Sequence, residues 1–107
     1  MKPNDYVMIY WTAGSIDEAR QVARQLVQEK LVACANIIPW IESIFSWNNT
    51  IDTQQETKVI FKTKKELFEK AKALLVSQAK YEVPEVLMVP ILAGNEEYFD
   101  WVDESTQ

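Results

Sequence analysis

Between Leu31 and Thr63 the chain has no glycine, and its one clear turn signal in that stretch is Asn48-Asn49. Both flanks are rich in β-formers, Leu31 to Trp47 before the signal and Ile51 to Thr63 after it. Two such runs joined by a tight turn pair as a hairpin, here one longer than most strands of a small domain. Pro39 interrupts the first arm, so a bend or bulge is expected there rather than one straight strand. In the second arm Thr53, Gln55, Thr57, Val59 and Phe61 alternate with Asp52, Gln54, Glu56, Lys58, Ile60 and Lys62. Its first half is polar on both faces, which places that half beyond the core.

The remaining elements follow from local signals. Tyr6 to Thr12 is aromatic and β-branched, a first strand ended by Ala13-Gly14. Ser15-Ile16-Asp17-Glu18 has the form of a capping box. Ile16, Ala19, Val22, Ala23, Leu26 and Val27 then recur at helical spacing up to about Lys30. Thr63-Lys64-Lys65-Glu66 has the same capping form. It precedes a second apolar stripe through Leu67, Phe68, Ala71, Leu74 and Leu75, with Glu66 and Lys70 spaced as a helical ion pair. Tyr81 to Glu85 is a short connection. Val86 to Leu92 is almost wholly apolar, a strand expected to be covered on both faces, with Met88 in the core. Pro90 favours an edge position or a bulge. Asn95 is placed to cap a short last helix carrying Tyr98, Phe99, Trp101 and Val102.

The order βαββαβ plus a C-terminal helix is the split βαβ, ferredoxin-like α+β sandwich: one antiparallel sheet with two helices on one face. At 107 residues the chain suits one domain, 1–107. The pattern raises a physical problem. Ile37-Ile38, Ile44-Phe45, Ile60-Phe61 and Val86 to Val89 put apolar side chains on both faces of the sheet, and two helices cover only one. A patch of that size calls for face-to-face assembly of sheets.

Composition excludes whole classes of function. A formal net charge of −5 argues against nucleic acid and against an anionic membrane surface. Histidine is absent, so Ser-His-Asp, Cys-His and HExxH chemistry cannot be built from this chain. A single cysteine, Cys34, excludes an internal disulfide and Cys-pair zinc motifs. No apolar run approaches the length of a membrane span, and Met1-Lys2-Pro3-Asn4-Asp5 lacks a signal-peptide core. A free thiol without an export signal is expected in the cytoplasm.

Several stretches together resemble the CutA family of divalent-cation tolerance proteins. Glu29-Lys30 and Leu31 to Pro39 are similar to the family's central strand, and Ser43 to Trp47 to its aromatic-x-Trp segment. Glu56 with Phe61-Lys62-Thr63 resembles the returning strand, and Tyr81-Glu82-Val83-Pro84-Glu85 the loop before the last core strand. Val89-Pro90, Gly94, Tyr98 and Trp101 continue the match, so the resemblance covers essentially the whole chain. It implies a ferredoxin-like subunit in a homotrimer, with sheets packed about the threefold axis and long hairpins reaching to neighbours. It also implies a cytoplasmic, non-enzymatic protein of copper and divalent-cation tolerance with an intersubunit cleft. Two positions depart from the family. Ala79-Lys80 stand where it commonly has His-Pro, which removes a candidate metal ligand, and Asn49 replaces the glycine after the hairpin tryptophan.

Candidate site residues each have two readings. Cys34 is a soft thiolate ligand for copper, or a small buried hydrophobe. Glu56, Glu82 and Glu85 are hard oxygen ligands for a divalent cation, or ordinary surface carboxylates. Glu85 follows Pro84 and precedes an apolar strand, so it is expected to be partly buried and to need a partner. Lys62 is the candidate, and a Lys62–Glu85 pair would be structural or would bind an anionic small molecule. Trp47 and Tyr81 are candidates for lining the intersubunit cleft, whereas Trp101, at helical spacing from Tyr98, reads as packing. Met1, Met8 and Met88 form no copper motif. Two other functions fit the same fold. A trimeric small-molecule sensor, similar in architecture to PII proteins, would bind its ligand in that cleft, but no glycine-rich phosphate loop is present. An acylphosphatase-like hydrolase would need an arginine in a phosphate-cradling loop, and Arg20 and Arg24 lie mid-helix.

Overall fold

In the computed structural model, which describes residues 5–107, four strands and three helices follow one another as β1 (Tyr6–Ala13), α1 (Ile16–Gln28), β2 (Cys34–Trp47), β3 (Thr50–Lys64), α2 (Phe68–Gln78), β4 (Val86–Pro90) and α3 (Glu96–Ser105). Met1 to Asn4, on which most of the export-signal reading rests, lie outside the described residues. The sheet is antiparallel in the order β2-β3-β1-β4, as expected for a split βαβ sandwich. β4 is an edge strand, which accommodates Pro90.

The hairpin forms as its turn residues require. Trp47 pairs with Thr50, and Asn48 and Asn49 hold φ of 52° and 64° between them. Two consecutive left-handed residues match the right-handed twist of the flanking strands, and asparagine tolerates that region better than most side chains. At Pro39 the β2–β3 register shifts between Ile38 and Ile41, the expected bulge, and the Thr57 hydroxyl donates to the Pro39 carbonyl at 3.0 Å. The hairpin extends the molecule to 46 Å on its long axis against 26 and 22 Å across.

Ser15 caps α1, its hydroxyl accepting from the Glu18 N–H at 3.1 Å. Glu18 reaches back to the Gly14 N–H at 2.8 Å, one residue further than the motif predicts. The helix stops at Gln28, before Lys30. Lys30 adopts φ 58°, and the Lys30 and Leu31 N–H groups bond to the Val27 and Leu26 carbonyls, a Schellman end with lysine where glycine is usual. The second capping box does not form. Thr63 stays in β3 and its buried hydroxyl donates to the Leu31 carbonyl at 2.6 Å, so α2 starts through a 3₁₀ turn, Lys65–Leu67. The expected Glu66–Lys70 pair is also absent: Glu66 bonds to Lys64, and Lys70 to the Gln107 side chain.

Val59 and Phe61 of β3, with Ile9 and Trp11 of β1, face α1 and α2 and are fully buried against Val22, Leu26 and Leu75. The opposite face carries Met8, Tyr10, Ile38, Ile60, Leu87 and Val89 by register. α3 covers only its lower end, where Phe99 stacks on Tyr6 at 4.4 Å and the Tyr6 hydroxyl donates to Asp103 at 2.8 Å. β4 is not covered on both faces: Val86 packs against the core, but Met88 is exposed, and so is Leu87, which lies on the open face beside Tyr10. Met88 is therefore not a core residue here.

Candidate functional site

Where the hairpin leaves the core, its open face meets the loop between α2 and β4 in a groove of about 540 Å³. Counting from the Asn48-Asn49 turn places Trp47, Phe45 and Ser43 opposite Thr50, Asp52 and Gln54, all on one face. Tyr81, Glu82, Val83 and Glu85 form the other wall, with Thr12 of β1 at the base. Gly14 lets Tyr81 approach: a Cβ at this position would lie 3.2 Å from its phenol oxygen and 3.8 Å from Glu18 Oε1. The Tyr81 hydroxyl hydrogen-bonds Glu56. Burial first, then the Glu56 bond and the nearby Glu18 carboxylate, push the Tyr81 phenol well up from its usual range.

Glu85 is partly buried and partnered, but its partner is Lys58, not Lys62. Lys58 Nζ lies 3.1 Å from Glu85 Oε1, and the Thr12 hydroxyl donates to the same oxygen at 2.8 Å. The Lys58 ammonium also stands 4.7 Å from the Tyr10 ring centroid. The reason is register: Thr12 pairs with Lys58, and Trp11 with Val86, so the residue before β4 arrives beside Lys58. Lys62 lies two repeats further along the same face, beyond Ile60, paired in register with Cys34, and its ammonium bonds to Asn36 Oδ1.

Of the residues singled out from sequence, the groove thus brings together Trp47, Tyr81, Glu82 and Glu85, with Glu56. Cys34 and Lys62 are elsewhere. From Lys58, the partner of Glu85, to Lys62, the partner of Cys34, is four residues of β3, about 13 Å of strand. Cys34 is partly exposed beside Asn36 and Tyr98. Burial, and then the Cys34 thiol, push the Tyr98 phenol up. No three His, Cys, Asp or Glu among the described residues converge as a metal site. Trp101 packs against Tyr98 on α3, with centroids 5.6 Å apart. Sequence reasoning passed over Phe45, Asp52 and Lys58. Counting pairs back from the turn would have found the first two; Lys58 needed the β1 register.

A larger concavity of about 780 Å³ lies at the other end of β1, between Lys64, Lys65, Glu66 and Asp103. It contains none of the candidate site residues. Here Tyr6 is pushed up to about 12, by burial and then by its hydrogen bond to Asp103.

The fold and groove define a class: ferredoxin-like α+β chains with an overlong hairpin and an acidic, aromatic-lined groove at its root. The sequence profile described as CutA1 divalent ion tolerance protein matches residues 7–105, and the chain belongs to that family. It is 40% identical over 95 residues to the divalent-cation tolerance protein CutA of Thermus thermophilus, covering 89% of this chain and 92% of that one. With the chloroplastic protein CutA of Arabidopsis thaliana it shares 35% identity over 101 residues, 94% of this chain but 56% of the longer plant protein. The chain thus spans about half the length of that plant relative and nearly all of the bacterial one. The crystal structure of CutA1 from Oryza sativa superposes with a TM-score of 0.94 at 32% identity, over 98% of this chain and 96% of that one. The periplasmic divalent cation tolerance protein CutA of Archaeoglobus fulgidus gives 0.92 at 35%, over 95% and 99%. Among the described residues no helix is long and apolar enough to cross a membrane.

Proposed function

We propose that this protein serves divalent-cation tolerance as a non-enzymatic homotrimer that binds copper, with Cys34 as the soft ligand and the assembly completing the donor set. The observation that carries this reading is the uncovered sheet face. Ile38 and Leu87 are exposed on it, Tyr10 and Ile60 lie between them, and Cys34 occupies the same face. An apolar surface of this kind is stabilised by burial against further copies of itself. Packing about a threefold axis would bring donors from different subunits together, which one subunit cannot do. The kinship supports the cation link, because the relatives are named divalent-cation tolerance proteins. Residence in the cytoplasm is part of the proposal and rests on the free thiol.

Native mass spectrometry of the reduced protein, with one equivalent per chain of Cu(I), Cu(II) or Zn(II), tests assembly and metal together. The expected result is a trimer that retains copper and releases it in Cys34→Ala. A monomer at micromolar concentration overturns the assembly. A trimer that stays metal-free overturns the copper role and leaves the assembly standing.

A further inference from the structure

We propose that Tyr81 is a two-position latch: its hydroxyl passes between Glu56 at the hairpin root and Glu18 at the start of α1, which gives the loop between α2 and β4 two seats. This goes beyond the copper reading and uses neither Cys34 nor a metal.

The loop is fastened in a way that allows movement. Among the described residues, Lys80 to Glu85 make no backbone-to-backbone hydrogen bond. Two side-chain clasps on β3 hold them instead, Tyr81 on Glu56 and Glu85 on Lys58. The Glu85 clasp is double, since the Thr12 hydroxyl donates to the same oxygen, and Pro84 stiffens the chain beside it. The Tyr81 clasp is a single bond from an exposed side chain. A segment with so few ties opens at small cost, and it opens at the weaker clasp.

The second seat is already built. Glu18 is only 8% exposed, and its Oε1 takes the Gly14 N–H at 2.8 Å. Its Oε2 is buried and has no hydrogen-bond partner among the described residues. A buried carboxylate oxygen without a donor is costly, and a phenol hydroxyl close by is a donor that relieves the cost. A Cβ on Gly14 would lie 3.2 Å from the Tyr81 oxygen and 3.8 Å from Glu18 Oε1, so phenol and carboxylate meet across this one residue. Gly14 does not have a positive φ, so its backbone does not require glycine; the absent side chain leaves the room that the phenol uses. Burial and the Glu56 bond raise the phenol most, and the charge of Glu18 adds to them, so both carboxylates already act on one proton.

One hydroxyl donates one bond, so the two carboxylates compete for it. In the present seat Glu56 is served and Glu18 is short of a donor. In the other seat Glu18 is served and Glu56, only partly buried, turns to solvent. The exchange trades one bond to a carboxylate for another, which keeps the two seats close in free energy. A cationic group that takes Glu56 shifts the balance towards Glu18, and the loop carries that change to the start of α1.

The experiment is NMR of the full chain, in its solution assembly, with ¹⁵N-glycine labelling, which gives two amide signals, Gly14 and Gly94. Gly14 reports on Glu18 through the bond it donates. Glu56→Gln removes the charge that holds the phenol and keeps the side-chain shape. It should shift the Gly14 signal and leave Gly94 in place, and adding Tyr81→Phe should return Gly14 to its position in Tyr81→Phe alone. Trypsin cleavage after Lys80 reads the loop itself. Tyr81→Phe should speed it about tenfold, the size of one hydrogen bond to a charged group. Glu56→Gln should speed it far less, because Glu18 takes the hydroxyl. Cys34→Ala should change neither reading, so a failure of the copper reading is distinguishable from a failure of this one. No Gly14 shift in Glu56→Gln, a shift that persists without the hydroxyl, or equal acceleration by Glu56→Gln and Tyr81→Phe overturns the proposal.

Discussion

The two halves of β3 share β2 as a partner and lie in opposite environments. From Thr57 to Thr63 every second residue is buried, with Val59 and Phe61 at 0% exposure under α1 and α2. From Thr50 to Gln55 every residue is exposed, and Ile51 reaches 72%. The outer half is laddered to β2 alone, whereas the inner half lies between β2 and β1. The inner half is therefore anchored twice, by a second strand and by the helices packed on its buried face. A two-stranded ribbon alone is marginal in water, and this one carries Ile44, Trp47 and Ile51 into solvent. The same contrast separates the two faces of the sheet: one is closed by α1 and α2, the other only at its lower end by α3.

The sharpest way to break the comparison is to charge the open face. Ile38→Asp, present once per subunit, should convert the proposed trimer to monomers, a change of several kcal/mol in assembly read by analytical ultracentrifugation. An unchanged mass would show that this face is not the interface. On the closed face Phe61→Ala should cost about 3–5 kcal/mol in denaturant unfolding, whereas Ile51→Ala on the free ribbon should stay within about 0.5 kcal/mol of the parent in a monomeric background. A comparable loss at Ile51 would mean that the ribbon is packed against something.

The lower end, where α3 meets the sheet, responds to pH. Tyr6 is pushed up to about 12 in the fold from 10.0, so the fold binds its proton more tightly than the unfolded chain does. Its contribution is therefore complete below pH 10 and is lost as pH rises towards 12. Tyr6→Phe should lose about 1 kcal/mol at neutral pH with the Asp103 bond and unfold with a shallower dependence between pH 10 and 12. An unchanged alkaline slope would assign that loss to other phenols. The smallest effect is expected at the hairpin tip. Asn49→Gly relieves a left-handed φ of 64° and should stabilise by about 0.5 kcal/mol. A loss there would mean that the Asn49 side chain makes contacts beyond the turn.

Local chemistry was legible wherever it was not contested. The Ser15 cap, the Asn48-Asn49 turn and the Pro39 bulge all form, because each satisfies its backbone groups within a few residues or across one strand pair. Thr63 has the same capping grammar as Ser15 and does not cap, because its hydroxyl meets the Leu31 carbonyl, a partner far away in sequence. Glu85 announced its need for a cation by lying between a proline and an apolar strand. Alternation put Lys58 and Lys62 on one face, and Lys62, the lysine taken from the sequence, is not the one that meets Glu85. The β1 register made that choice by placing Thr12 across from Lys58 and Trp11 across from Val86.

By itself, then, the sequence determined the order of elements, the excess length of the hairpin, the surplus of apolar strand surface and the absence of histidine chemistry, since these depend on residue type and spacing along one chain. Only the tertiary structure decided that Trp47, Tyr81, Glu56 and Glu85 share one groove while Cys34 and Lys62 lie further along the sheet. The physical reason is that strand registers, fixed by burial of the helix-facing side chains, set which residues meet across strands, and no local periodicity carries that information.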